Sequence, residues 1–76
     1  MISHRYYGTI VHVTAAGGIV VERADGGGRV FAGPAEAARA GTRLISGDRV
    51  EFSVSPGAAV LDVLLLGRPG RILPAG

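Results

Sequence analysis

The side chains that could bind a ligand in this 76-residue chain are its arginines and its few aromatic residues. All eight Lys-or-Arg positions hold arginine, and the formal net charge is +2. Guanidinium groups bind phosphates, stack on bases and anchor protein interfaces, so this composition indicates a binding partner. A second explanation stays open, because abundant Ala, Gly, Val and Arg with no Lys is also what a GC-rich coding sequence produces.

Catalytic and metal-binding patterns are missing from the sequence. His4 and His12 could share a metal ion, but no third ligand has suitable spacing and the chain has no cysteine. Serine, histidine and aspartate all occur, yet no pattern places a nucleophile beside an oriented base. The sequence therefore predicts a non-enzymatic protein with no cofactor and no metal.

The stretch Asp25-Gly26-Gly27-Gly28 has the composition of a phosphate-binding loop but not its context. Phosphate-binding loops precede the N-terminus of a helix, whereas this stretch lies between two predicted strands. We therefore predict a hairpin turn, where glycine supplies the positive φ angles that the turn needs.

Short apolar segments bounded by turn residues predict an all-β chain. The clearest is 49–54, where polar and apolar residues alternate between Ser46-Gly47-Asp48 and Ser55-Pro56-Gly57. The other predicted strands are 6–13, 19–23, 29–32 and 59–66. Residues 34–41 predict a short helix, because alanine favours helix, proline suits its first position and glycine suits its end. This order predicts a small five-stranded antiparallel Greek-key barrel with a short helix between strands three and four.

Strand alternation also predicts which side chains form the core. In the fifth strand we expect Leu61, Val63 and Leu65 to face the core, which leaves Leu64 and Leu66 facing outward. The other residues expected to be largely buried are Ile10, Val30, Val50, Phe52 and Val54.

Length and hydropathy predict the domain organisation and location. We expect one domain over residues 1–66 and a flexible tail over 67–76, which is rich in Pro, Gly and Arg and is either a frayed end or a short linear binding element. No apolar run approaches the roughly 20 residues of a membrane span, and the N-terminus lacks the apolar core of a signal peptide. We therefore expect a soluble cytoplasmic protein that has no membrane partner.

The order of these segments resembles the bacterial cold-shock domain, an OB-fold family. Four stretches carry the resemblance: GTIVHV from Gly8, the hairpin from Glu22 to Phe31, GDRVEFSV from Gly47 and GAAVLDVLLL from Gly57. Together they cover roughly residues 6–66, with a remodelled connection between residues 33 and 46. The resemblance implies a protein that binds single strands of RNA or DNA by stacking bases on surface aromatics.

Most of the family's stacking positions are altered in this chain. His12, Val13 and Val20 stand where the family has Trp, Phe and Phe. Gly33 and Pro34 replace the His and Phe that follow Phe31, which is retained. Losing about four stacking side chains at about 1 kcal/mol each weakens binding about a thousandfold, so the resemblance implies weak binding. The candidate nucleic-acid-binding residues are Phe31, His12, Arg29, Arg23 and Tyr7. The arginines at 5, 23, 29, 43 and 49 could add a salt-sensitive phosphate-binding surface, or else form an ordinary solvated face.

The same substitutions suggest an alternative function as a protein-interaction or oligomerisation module. Strand five is apolar on both faces, and a barrel of this size cannot bury both. The candidate partner interface is Leu64, Leu66, Val13 and Val20. Its cover could be a second copy, a protein partner or the chain's own tail through Ile72 and Leu73.

Overall fold

The structure is a computed structural model that describes residues 4–57 and 59–68. Its elements are β1 (His4–Val13), β2 (Ile19–Arg23), β3 (Arg29–Ala32), α1 (Pro34–Ala38), β4 (Arg49–Val54) and β5 (Val60–Gly67). The predicted bounds of β2, β3 and β4 are confirmed. β1 begins at His4 instead of residue 6, and β5 begins at Val60 instead of residue 59.

The five strands form one antiparallel sheet with the order β3-β2-β1-β4-β5. Within the described ranges β3 and β5 approach each other without forming a ladder, so the sheet curls but is not closed. α1 packs against β5, and Ala37 is the buried residue of this helix. The five antiparallel strands and the short helix of the prediction are therefore confirmed.

The core lies on the concave face of the curled sheet. Ile10, Phe52 and Val63 are almost fully buried there, at 1%, 0% and 2% exposure. Val50 is buried as well, whereas Val30 and Val54 are partly buried and pack against the core. Burying a side chain of this size stabilises the fold by about 1.5–3 kcal/mol, so this alternating set accounts for much of the folding free energy. The remaining fully buried members are Ile19, Val21 and Ala32.

β5 departs from the predicted alternation at two irregularities. Val60 pairs with Val54 and Asp62 pairs with Ser53, so Leu61 is an extra residue between two paired positions. The prediction that Leu61 faces the core is therefore wrong: it is 41% exposed, and Val60 is buried in its place. The prediction for Val63 and Leu65 is correct, since Val63 is buried and Leu65 packs against the core.

The end of β5 is tied to the segment before β4 by a buried ion pair. Gly67 is the last residue of β5, and the next residue, Arg68, donates from Nε to Oδ1 of Asp48 at 2.7 Å and from Nη2 to Oδ2 at 3.0 Å. Asp48 is fully buried. Arg68, which the sequence assigned to the tail, thus belongs to the folded body; the rest of that tail, residues 69–76, lies outside the described residues.

Candidate functional site

The convex face of the sheet carries a row of three side chains from three neighbouring strands. His12 of β1 pairs with Val20 of β2, and Val20 pairs with Phe31 of β3. Because strands lie about 4.8 Å apart, His12 and Phe31 are separated by about 10 Å across the sheet. We call His12, Val20 and Phe31 the cross-strand row. It brings together two of the predicted binding residues, Phe31 and His12, with one predicted interface residue, Val20.

Phe31 is exposed, and one edge of its ring lies against Gly18. The residue is 57% exposed. A Cβ at position 18 would lie 2.8 Å from Cζ and 3.0 Å from Cε1 of Phe31, so the ring edge occupies the space that a side chain at Gly18 would fill. Thr14 holds this glycine in place, since the Gly18 N–H donates to its hydroxyl at 2.9 Å. Phe31 is therefore an exposed aromatic whose position is set by packing.

Four exposed arginines form no hydrogen bond or ion pair with another described residue through their side chains. They are Arg29, Arg39, Arg43 and Arg49. Arg29 lies two residues before Phe31 on β3, and alternation places both on the convex face. Glu22 is opposite Arg29 in the ladder and offsets part of its charge. Arg29 thus lies on the same face as Phe31, two residues away, and stays a candidate for phosphate binding.

Arg23 lies on the opposite face from Phe31 and is engaged there. It follows the buried Val21 by two residues, and its guanidinium lies 4.1 Å from the centroid of the Tyr6 ring. Asp25 accepts hydrogen bonds from Arg23 Nε at 3.1 Å and from Arg23 Nη2. These bonds, with a smaller contribution from the Gly27 N–H, lower the pKa of Asp25. Arg23 therefore does not join the other predicted binding residues, because its partners are the hairpin and Tyr6.

Tyr7, Leu64 and Leu66 form a second exposed group on the convex face, which we call the leucine patch. Tyr7 pairs with Glu51 of β4, and Glu51 pairs with Leu64 of β5, so Tyr7 and Leu64 flank Glu51. Exposure is 55% for Tyr7 and 50% for each leucine. Tyr7 lies roughly 16 Å along β1 from His12, at about 3.3 Å per residue. The structure thus places Tyr7 with the leucines and away from Phe31.

Val13 is not on the same face as the other residues of the predicted partner interface. It pairs with the buried Ile19, is half-buried and packs against the core. The cause is an irregularity in β1, where the register shifts between Ile10 and His12 and inserts Val11 as an extra residue. Val13 therefore lies on the core face, whereas Val20 lies on the convex face opposite His12.

Two open depressions adjoin the end of β1. One of about 350 Å³ is lined by His12, Val13, Arg43, Leu44, Ile45 and Ser46. The other, of about 390 Å³, shares Val13, Arg43 and Leu44 and extends along α1 and the turn after β1. Arg43 stands between them, on the connection that leads into β4.

The ion pair of Asp48 and Arg68 holds the segment that lines these depressions. Arg68 Nη2 donates to the carbonyl of Arg43 at 2.8 Å, and the Ile45 N–H donates to Oδ2 of Asp48 at 2.9 Å. The bonds from Arg68 lower the pKa of Asp48 and outweigh burial, which acts in the opposite direction. Gly47 donates to the Ile10 carbonyl at 2.7 Å and so joins this segment to β1. The sequence analysis did not predict this ion pair. The Gly47-Asp48 dipeptide before β4 indicated a turn but did not point to Arg68 as a partner.

Comparisons of the chain with protein-family models, with curated proteins and with solved structures found no match. Among the described residues, no group of three or more His, Asp or Glu side chains could hold a metal ion. Within residues 4–57 and 59–68, no helix has the length and apolar character that crossing a membrane requires. The geometry of the convex face is therefore the basis for a functional interpretation.

Proposed function

We propose that this protein is a non-enzymatic module that binds single-stranded RNA or DNA weakly through the cross-strand row. The observation that carries the proposal is the exposed Phe31 ring, set against Gly18 and aligned across the strands with His12. Bases stack on exposed aromatic rings whatever their sequence, and each stack contributes about 1–3 kcal/mol. Arg29 beside Phe31 offers a guanidinium for the phosphate backbone. The proposal includes a partly open barrel of the OB type, in which the approach of β3 and β5 narrows the gap in the sheet.

We expect weak affinity because the convex face carries few stacking side chains and few cations. One phenylalanine and one histidine provide two stacking surfaces in the row, and Glu22 reduces the positive potential at Arg29. Each phosphate contact contributes about 0.7 to the slope of log affinity against log salt for a single strand. Binding through one or two arginines should therefore show a shallow salt dependence, with a slope of about −0.7 to −1.4.

Two exposed aromatics allow a matched test of the row. Phe31→Ala should weaken binding of fluorescein-labelled hexathymidine or hexauridine by about 5- to 150-fold, the equivalent of about 1–3 kcal/mol. Tyr7→Ala removes an aromatic of nearly equal exposure, 55% against 57%, that lies outside the row, and should change affinity by less than about twofold. Fluorescence anisotropy at low and moderate salt measures both. Equal affinities for wild type and Phe31→Ala, or no binding of either oligonucleotide at low salt, would refute the proposal.

The leucine patch supports a second candidate function, self-association of the chain. Leu64 and Leu66 remain half-exposed at the edge of the sheet, and burying each completely would contribute roughly 1 kcal/mol, about half the value for a fully transferred leucine. If a second copy covers the patch, Leu64→Ser with Leu66→Ser should lower the mass in light scattering while unfolding stability changes little. A wild-type monomer at high protein concentration would exclude self-association.

A further inference from the structure

The depression next to His12 is open to solvent and carries both apolar and polar side chains. Its volume of about 350 Å³ is at the lower end of the range of roughly 300–1,000 Å³ that is typical of small-ligand sites. Val13 and the buried Leu44 give it an apolar floor, and Ile45, which is 42% exposed, contributes an apolar side chain at the surface. The polar groups along it are His12, Arg43 and Ser46.

Arg43 is the cation that this site would use. Its side chain is exposed and makes no hydrogen bond or ion pair with another described residue, so the guanidinium is available to an anion. The backbone that carries it is held, because Arg68 donates to the Arg43 carbonyl at 2.8 Å while Asp48 accepts from the Ile45 N–H. Fixing the backbone of residues 43–45 in advance favours binding by Arg43, since the protein loses less conformational entropy when a ligand binds.

His12 joins this depression to the cross-strand row. It is the end of the row on β1 and also lines the depression, so a strand whose base stacks on Phe31 can continue past His12 towards Arg43. Phe31 and His12 are about 10 Å apart across the sheet, a distance that one or two nucleotides of an extended strand can bridge. The direction of the path is then across the strands and not along them.

We propose that the depression lined by His12, Arg43 and Ile45 is a subsite for a nucleotide that lies beyond His12 on the same strand of nucleic acid as the base on Phe31. Arg43 binds its phosphate, and Ile45 with the apolar floor contacts its base or sugar. This inference rests on the proposed function of the cross-strand row. It adds the connection between α1 and β4 to the binding surface.

Nuclear magnetic resonance of the ¹⁵N-labelled protein tests the subsite separately from base stacking on the cross-strand row. Adding unlabelled hexathymidine should shift the amide signals of Val20 and Phe31 and also those of Arg43, Leu44 and Ile45. Shifts at Val20 and Phe31 alone would overturn the subsite and leave the proposed function standing. Shifts at residues 43–45 alone would overturn the stacking row, and shifts in neither region would overturn both.

Substitution of arginine by glutamine provides the matched control. Arg43→Gln should weaken hexathymidine binding about fivefold and reduce the magnitude of the salt slope by about 0.7, the loss of one phosphate contact. Arg39→Gln makes the same charge change at another exposed arginine, outside the lining of the depression, and should change neither value beyond about 1.5-fold. The fold of Arg43→Gln should persist, because Arg68 binds the backbone carbonyl of residue 43 and not its side chain. Equal effects of the two variants would overturn the subsite and indicate general charge attraction.

Discussion

Replacing Arg68 by methionine should destabilise the fold much more than the same change at Arg5. Asp48 is fully buried and accepts from Arg68 Nε at 2.7 Å, from Arg68 Nη2 at 3.0 Å and from the Ile45 N–H at 2.9 Å. Methionine keeps the apolar stem of the arginine but removes its charge and its donors. The carboxylate would then be buried with a single described donor and no countercharge.

The expected loss of stability is about 3 kcal/mol. Removing one partner of a buried ion pair costs about 3–5 kcal/mol, and the lower end applies because the Arg68 side chain is 27% exposed. A chain of this length unfolds with a free energy of about 4–11 kcal/mol, so the variant loses a large share of it. Arg5 provides the control: its side chain is 42% exposed, it pairs with Glu51 and Asp62, and such surface pairs contribute about 0–1 kcal/mol.

Urea unfolding followed by circular dichroism at pH 7 measures this difference. With a slope of about 1 kcal/mol per molar urea, as expected for a small domain, Arg68→Met should lower the midpoint by about 3 M and Arg5→Met by less than about 1 M. Unfolding without added urea would also agree with the prediction, provided Arg5→Met remains folded. Midpoints of both variants within about 0.5 M of wild type would refute the assigned importance of the buried pair.

The pH dependence gives an independent check on the same pair. Hydrogen bonds from Arg68 lower the pKa of Asp48 in the folded protein. A carboxyl group with a depressed folded pKa stabilises the fold above its unfolded pKa of about 3.9, and this contribution disappears as pH falls through the folded pKa. The difference in unfolding free energy between wild type and Arg68→Met should therefore shrink below about pH 4. A constant difference from pH 7 to pH 2 would contradict the role of the ionised Asp48.

Three further predictions follow from single positions. Gly18→Ala should displace Phe31, whose Cζ would lie 2.8 Å from the new Cβ, and so weaken hexathymidine binding in the anisotropy assay; it should have no further effect on affinity when Phe31 is already alanine. Gly8→Ala should lower the urea midpoint through a loss of about 1–3 kcal/mol, because its Cβ would lie 2.5 Å from a carbonyl oxygen of β2; an unchanged midpoint would contradict this close packing. Leu61→Ala should cost less than about 0.5–1 kcal/mol and Val63→Ala about 1–3 kcal/mol in the same experiment, whereas the opposite order would mean that Leu61 faces the core after all.

The regular part of the fold was predictable because local patterns agreed with burial. The alternation of residues 49–54 places Val50 and Phe52 in the core, and both are fully buried. The glycine-rich turn between β2 and β3 and the alanine-rich helix were equally visible in the sequence. Each of these signals depends on neighbours within a few residues, which is the range over which propensity and periodicity act.

The irregular part depended on contacts that no local pattern shows. Val60 and Leu61 are both apolar, so their types do not show which of them faces the core, and the apolar run from Val63 to Leu66 likewise gives no sign of the register shift near Gly67. Arg23 was a binding candidate from its residue type alone, but the turn after β2 places Asp25 at its guanidinium and the neighbouring β1 places Tyr6 there. The bond between Asp48 and Arg68 was missed for a similar reason, because the two residues are 20 apart in the chain and no local pattern joins them.

The candidate site was predicted only in part. The register of three strands aligns Phe31 with His12, and Arg29 lies two residues before Phe31 on β3. Tyr7 is on the same face but belongs to the leucine patch, since it pairs with Glu51 and not with a residue of β2 near Phe31. Arg43 could be named as one of several arginines, but its place beside His12 required the path of the connection after α1.

The packing of Phe31 against Gly18 couples two positions that are 13 residues apart in the chain. A larger residue at position 18 fits only if the side chain at position 31 becomes smaller or turns away. A smaller residue at position 31, by contrast, creates no steric conflict with Gly18. Among homologues that keep this sheet, an aromatic residue at the position of Phe31 should therefore occur together with glycine at the position of Gly18. Homologues with a small residue at the position of Phe31 should have a residue larger than glycine at the position of Gly18 more often, within the limit set by the backbone oxygen of Ala32, which lies 3.1 Å from such a Cβ.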